Sequence, residues 1–161
     1  MDLKKTPLID EHERLGAKLA PFGGWLMPIQ YSGIIAEHMW TRRETSLFDI
    51  CHMGEFMINA DADASGLNNI VTFDLNKLPI GSCRYGFALN DAGCIIDDLI
   101  VYRIAGSRWM VVVNAATIAD DETHFRNHLA GGTDFRNVSS AMGKLDLQGP
   151  GSLDVLKKLG I

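Results

Sequence analysis

The sequence predicts an α+β fold built on an antiparallel-rich sheet. Three observations predict it. Between Cys51 and Val138 the periodicity reads strand, helix, three strands, helix, strand, a split βαβ order with one additional hairpin strand. The three central strands are joined by the turn signals Asn90-Asp91-Ala92-Gly93 and Ala105-Gly106-Ser107, and links this short join antiparallel neighbours. The intervening helices, Ala60 to Ile70 and Thr117 to Leu129, then lie on one face of the sheet.

Each element has a local reason. Thr6-Pro7 is an N-cap followed by proline at the first helical position, and Leu8, Ile9, His12 and Leu15 continue at helical spacing to Gly16. Ala17 to Pro21 reads as a short strand. Phe22 to Pro28, rich in Gly, Pro and large apolar residues, reads as a loop that packs Trp25 and Met27 into the core. Ser32 caps a second helix over Gly33 to Thr45, with Ile34, Ile35, His38 and Met39 on or near its inner stripe. At Leu47 the period changes to two, and Leu47 to Ile50 leads into a strand over Cys51 to Ile58. Asp74 to Pro79 is a polar connection. Ser82 to Leu89 is a strand, and Ile95 to Tyr102 is the next. Arg108 to Val113 carries the β-branched signature of a buried strand. Gly131-Gly132 ends the helix begun at Thr117. Thr133 to Val138 and Lys144 to Leu147 are two more strands, and Pro150 opens a last helix with Leu153, Leu156 and Leu159 at helical spacing.

Composition narrows the function. The formal charge is -5, with no Lys/Arg cluster, so no nucleic-acid partner is expected. No apolar run approaches the roughly 20 residues of a membrane span. The N-terminus, Met-Asp-Leu-Lys-Lys-Thr-Pro, has neither the apolar core of a signal peptide nor an Arg-rich presequence. A cytoplasmic protein is expected, or one of the mitochondrial matrix if the source is eukaryotic. Cys51, Cys83 and Cys94 are odd in number and widely spaced, which fits reduced, mostly buried thiols rather than a disulfide framework or zinc motif. The histidines show no ligand spacing, so no metal is expected.

The chemistry centres on Cys94-Ile95-Ile96-Asp97-Asp98-Leu99-Ile100-Val101-Tyr102. Side chains alternate along a strand, so Asp97 and Asp98 point to opposite faces. Both faces are otherwise mostly apolar, which suggests a strand covered on both sides. Each carboxylate there needs a partner, a ligand or a raised pKa. On this segment alone, a solvated Asp beside one paired to an arginine, near a hairpin end, is the favoured explanation of the pair.

Several stretches in order resemble the T-protein family of the glycine cleavage system, tetrahydrofolate-dependent aminomethyltransferases. They are Lys5-Thr6-Pro7-Leu8, Leu15-Gly16-Ala17-Lys18, Pro21-Phe22-Gly23-Gly24-Trp25, Met27-Pro28, Phe48-Asp49, His52-Met53-Gly54-Glu55, Ile95 to Tyr102, Val112-Val113-Asn114-Ala115 and Leu147-Gln148-Gly149-Pro150. The resemblance implies a folate-binding T-protein-like fold. Residues 1–47 and 139–161 would belong to a first, incomplete antiparallel domain. Residues 48–138 would form a ferredoxin-like α+β domain that supplies part of the folate site. The family protein is longer, so the chain would be its N-terminal portion, poorly active by itself, with apolar surface open to self-association. Cys51 stands where the family usually has Ser, Cys94 where it has a second Gly, and Trp40-Thr41 where it has a smaller pair; none of these removes the Asp pair.

The same resemblance implies a reaction. An aminomethyl group on the lipoyl arm of the H-protein, the expected partner, loses ammonia. Its carbon passes to tetrahydrofolate, giving 5,10-methylenetetrahydrofolate. Asp98 matches the family's functional aspartate and is expected to be the catalytic carboxylate, with Asp97 structural. Met53, Tyr85, Asp98, Val112 and Asn114 match folate-binding positions. Taken without the resemblance, Met53 is an ordinary core methionine, Tyr85 an ordinary strand residue and Asn114 a helix N-cap. The alternatives are a non-catalytic folate-binding paralogue of the iron–sulfur-assembly type and a folate-dependent demethylase domain.

Overall fold

The computed structural model describes residues 2–161. It divides into two compact units, one running to His52 and resuming over Gly143–Ile161, the other Met53–Met142.

The first unit opens with β1 (Lys4–Lys5), α1 (Ile9–Arg14), β2 (Lys18–Phe22), β3 (Trp25–Gln30), α2 (Ile34–Arg43) and β4 (Ser46–Asp49). Trp25 to Pro28, expected as part of a loop, belongs to the strand β3. Gly23 and Gly24 hold φ of 54° and 85° and turn β2 back onto β3, a conformation that glycine adopts without a Cβ clash. Pro28 is tolerated because β1 reaches only Trp25 and Leu26; beyond them, among the described residues, β3 has no paired strand on that side to receive an N–H. Thr6 does not cap α1 with its side chain; it is buried, and its carbonyl accepts from Ile9.

The second helix departs further from expectation. Ser32 is not its cap. The Glu37 carboxylate instead accepts the backbone N–H groups of Tyr31, Ser32 and Gly33 at 2.7, 2.7 and 2.8 Å. The Gly33 bond leads the interactions that hold Glu37 below the usual carboxylate range. None of its residues is buried, and Ile35 on the expected inner stripe is 80% exposed. Inside this unit, Asp49 is the polar centre. Its Oδ2 pairs with His12 Nε2 at 2.9 Å, its Oδ1 accepts the Cys51 N–H at 2.9 Å, and His12 Nδ1 meets the Tyr31 hydroxyl at 2.8 Å. Burial opposes the charge on Asp49, but hydrogen bonds from Thr6, Cys51 and His12 outweigh it and keep its pKa low.

The second unit contains β5 (Gly54–Asn59), α3 (Leu67–Ile70), β6 (Cys83–Leu89), β7 (Ile95–Ala105), β8 (Arg108–Val113), α4 (Ile118–His128) and β9 (Asp134–Asn137). Cys51 and His52 form a turn and not the start of β5, and the helix expected over Ala60–Ile70 is reduced to its last turn. The sheet order is β6-β7-β8-β5-β9, every neighbouring pair antiparallel. β8 and β9 therefore flank β5 in the same direction, joined by α4, which is the split βαβ arrangement. One face buries Phe56, Ile58, Leu99, Val101, Trp109 and Val111 with Phe125 of α4 and Leu129 just after it. This antiparallel α+β architecture agrees with the sequence prediction. Of the cysteines, Cys51 is buried, but Cys83 and Cys94 are exposed because each lies at the end of the β6–β7 hairpin.

The chain then returns to the first unit through β10 (Leu145–Gln148) and α5 (Ser152–Leu159). β10 pairs antiparallel with β4, Leu145 opposite Asp49 and Gln148 opposite Ser46. Among the described residues, no helix is long and apolar enough to cross a membrane.

Candidate active site

The alternation of β7 sends its two acids to different environments. Asp97 pairs with Ala88 across the ladder and lies on the helix-covered face, 8% exposed. Asp98 pairs with Phe87 and is half-buried on the opposite face. That face also carries Tyr85, Phe87 and Ile100, with Val112 buried opposite Ile100. No helix of this unit belongs to the core on that side; α3 and α4 contribute their buried residues to the core cluster of the other. Within this unit, helices cover the strand on one face only, where its apolar pattern suggested cover on both.

Asn114 joins the two acids. It follows β8 directly, and two further steps in the β7–β8 register beyond Ile100 and Val112 place it opposite Asp98. Its Nδ2 donates to Asp97 Oδ1 and to Asp98 Oδ1, each at 2.9 Å, and to the Asp98 carbonyl at 3.2 Å. Its backbone N–H donates to Asp97 Oδ2 at 3.0 Å, and the Thr117 hydroxyl reaches the same oxygen at 2.9 Å. Two carboxylates on one amide fix which way that amide faces, since a flipped oxygen would meet acceptors. Asn114 does not cap α4. Thr117 holds the N-cap position, with its N–H on the Asn114 carbonyl.

Electrostatics follow from these bonds. Burial works against the charge on Asp97, but the Asn114 side chain and backbone and the Thr117 hydroxyl outweigh it, so its pKa falls below the usual carboxylate range. Tyr85, 57% exposed, has its phenol pKa raised by partial burial and then by the negative charge and hydrogen bonding of Asp98. Its ring meets Phe87 edge-on at 5.5 Å. The result is a half-exposed carboxylate, held by an amide from below and flanked by aromatic and aliphatic surface. Such a group can orient a flat heterocycle and stabilise positive charge that develops beside it.

Tyr85, Asp98, Val112 and Asn114 thus come together on one sheet. Met53 immediately precedes Gly54, which pairs with Val113, so it stands at the same end of the sheet as Asn114. His52 belongs to the other unit. Its ring packs edge-on against Phe22 at 5.6 Å, and burial lowers its pKa. Two residues of this network, Thr117 and Asp121, were not singled out from sequence. The available signal was an acid on the inner stripe of α4, in phase with Phe125 and Leu129, all three buried. Among the described residues no cluster of His, Cys, Asp and Glu could hold a metal ion.

Comparison with known proteins places this geometry. The chain is 41% identical over 159 residues to an aminomethyltransferase of Prosthecochloris aestuarii, covering 98% of this chain and 44% of that protein. It is 41% identical over 157 residues to an aminomethyltransferase of a Geobacillus species, covering 98% of this chain and 43% of the relative. The crystal structure of the glycine cleavage system aminomethyltransferase T from Bartonella henselae superposes with a TM-score of 0.92 at 36% identity, over 99% of this chain and 44% of that one. The chain therefore spans less than half the length of these relatives. The model of the GCVT N-terminal domain matches residues 8–161, a stretch that holds the acid pair, Asn114 and both halves of the β4–β10 pairing, and the chain belongs to that family.

Proposed function

We propose that the chain supplies the carboxylate-bearing part of a tetrahydrofolate-dependent aminomethyltransferase. The donor is the aminomethyl-lipoyl arm of the H-protein and the acceptor is tetrahydrofolate. The carbon–sulfur and carbon–ammonia bonds break, and the carbon bonds to two folate nitrogens. Of the two folate N–H protons, one goes to the lipoyl sulfur and one leaves with ammonia. The products are 5,10-methylenetetrahydrofolate, ammonia and the reduced lipoyl arm. Positive charge builds on the carbon as ammonia departs. Asp98 faces that charge, and a positioned carboxylate can also receive a folate proton.

The observation that carries this reading is the Asn114 bridge, which fixes Asp98 on a sheet face lined by Tyr85, Phe87, Ile100 and Val112. That mixed aromatic and aliphatic surface suits a flat pterin ring. Met53 is assigned to the pterin contact, Tyr85 to the pocket wall, and Val112 and Asn114 to the strand end that faces the folate.

The test is reconstitution. The full-length gene product is mixed with H-protein carrying aminomethyl-lipoate and with tetrahydrofolate. Equal amounts of ammonia and 5,10-methylenetetrahydrofolate are expected. Folate binding without ammonia release would overturn the enzyme reading in favour of a folate-binding protein that transfers nothing.

A further inference from the structure

One buried acid has no part in that reaction. Asp121 is 0% exposed on the inner stripe of α4. Asp97 collects three donors, from the Asn114 backbone, the Asn114 amide and the Thr117 hydroxyl. Asp121 has no donor of its own: both its oxygens are sealed from solvent and, as a carboxylate, meet no donor in hydrogen-bonding geometry, while the nearby Thr117 hydroxyl only partly offsets the effect of burial. Its polar neighbours are Thr117 and Asp97. Thr117 has a single hydroxyl proton, already directed at Asp97 Oδ2 and the Asn114 carbonyl. The charged groups that act on Asp121 are Asp97 from β7 and Asp120 from its own helix, both acids. Two ionised acids side by side in that setting would repel each other, with one wholly unsatisfied.

We propose that Asp121 is a positioning residue: it keeps a proton, donates it to Asp97, and so holds Asn114 and, through Asn114, the Asp98 carboxylate. Only the last link rests on the reading of Asp98 as the reacting group; the proton and the grip on Asn114 stand without it. Asp97 is the better-served acid and remains the ionised member. Burial, followed by the charge of Asp97, pushes Asp121 up to about 7 from an ordinary 3.8. A folded-state pKa above the unfolded one means that this group's stabilising effect is complete below pH 3.8 and is lost as the pH rises toward about 7. Above that, Asp121 ionises, repels Asp97 and loosens Asn114.

The test needs no substrate for its first arm. The Asp121 carboxyl carbon and the Asn114 side-chain NH2 are followed by NMR in the full chain from about pH 5 to about pH 9. Both are expected to titrate together near neutrality. Asp121→Asn retains a donor toward Asp97 and cannot ionise. Its Asn114 signals are expected to match the low-pH wild type and to ignore pH, and its melting temperature should lose the wild-type decline between acid and neutral pH. Asp121→Ala removes the donor, and its Asn114 signals are expected to be displaced at every pH. If Asp121→Ala does not fold, Asp121→Asn alone decides, because it separates proton donation from mere packing. Asp121 titrating near 3.8, the ordinary value, would overturn the proposal. So would Asn114 signals that ignore the Asp121 titration.

The second arm is the pH profile of aminomethyl transfer, whose alkaline fall should be relieved in Asp121→Asn. An unrelieved fall in an active enzyme overturns the positioning role alone. Coupled NMR titrations in a protein that transfers nothing leave the positioning role intact and overturn the functional reading.

Discussion

Asp98→Asn in the full-length gene product is expected to lower the rate of the chemical step roughly 10²–10³-fold, the range for removing one charged or hydrogen-bonding group aimed at a transition state. The substitution keeps the size of the side chain and an oxygen for the Asn114 Nδ2, which sits 2.9 Å away. It removes the negative charge. Folding should therefore change little, and the loss should appear in single-turnover rates more than in folate affinity. Asp97→Asn should behave in the opposite way. Asp97 accepts three hydrogen bonds in a buried setting, and an amide NH2 in its place would face donors. A cost of about 1–3 kcal/mol in stability is expected, with a smaller loss of rate at temperatures where the protein stays folded. Matched stopped-flow and thermal-melt measurements on both variants check this. Equal rate losses, or a larger one for Asp97→Asn, would mean that the reacting carboxylate is the wrong one of the pair.

The opposite faces of the two acids were legible because alternation along a strand needs no tertiary information. The bridge between them was not. Asn114 lies 16 and 17 residues from its partners, and only the β7–β8 register brings it there. Read locally, an Asn before a helical run is a cap, and Thr117 takes that place instead. Asp121 was missed, although an acid in phase with Phe125 and Leu129 is a signal that marks it; its partner on β7 has no such local signal. Strands β6 to β8 were legible because their turn signals are local. β3 was not, since Pro28 and the Gly-Gly pair usually argue against a strand. It survives because β1 is only two residues long. The stripe expected on α2 failed for a different reason. Periodicity reports which residues share a face, not what covers that face, and here Ile34, Ile35, Met39 and Trp40 are all exposed.

Gly149→Ala carries the largest expected effect on stability. Gly149 follows β10 with a φ of +125°, a conformation that L side chains rarely adopt. A β-carbon there would collide with the Glu44 carbonyl oxygen and would lie 2.8 Å from that of Thr41. Both obstacles are backbone, so no rotamer change relieves them. Backbone strain and overpacking each cost about 1–3 kcal/mol, and here they act together. Against a total of about 5–15 kcal/mol for a folded domain, that is enough to threaten the first unit. Gly132 is the control. Its φ is +87°, but a β-carbon there meets nothing within 4 Å, so Gly132→Ala should cost about 1–2 kcal/mol from conformation alone. Chemical denaturation of the two variants should separate them clearly. Similar midpoints would show that the Gly149 collision is relieved by movement of the Thr41–Glu44 segment.

The pairing of β4 with β10 imposes an order on biogenesis. A ribosome releases Ser46–Asp49 long before Leu145–Gln148, and all of Met53–Met142 emerges in between. Nascent β4 must wait, unpaired, while the β6–β7–β8 meander can zip up from its own turns. Once that insert has collapsed, the coil whose entropy opposes the reunion of β4 and β10 is much shorter. Pulse-labelled exchange during refolding should then protect amides of β7 and β8 ahead of those in β4 and β10. Simultaneous protection would mean that the discontinuous unit does not wait for its insert.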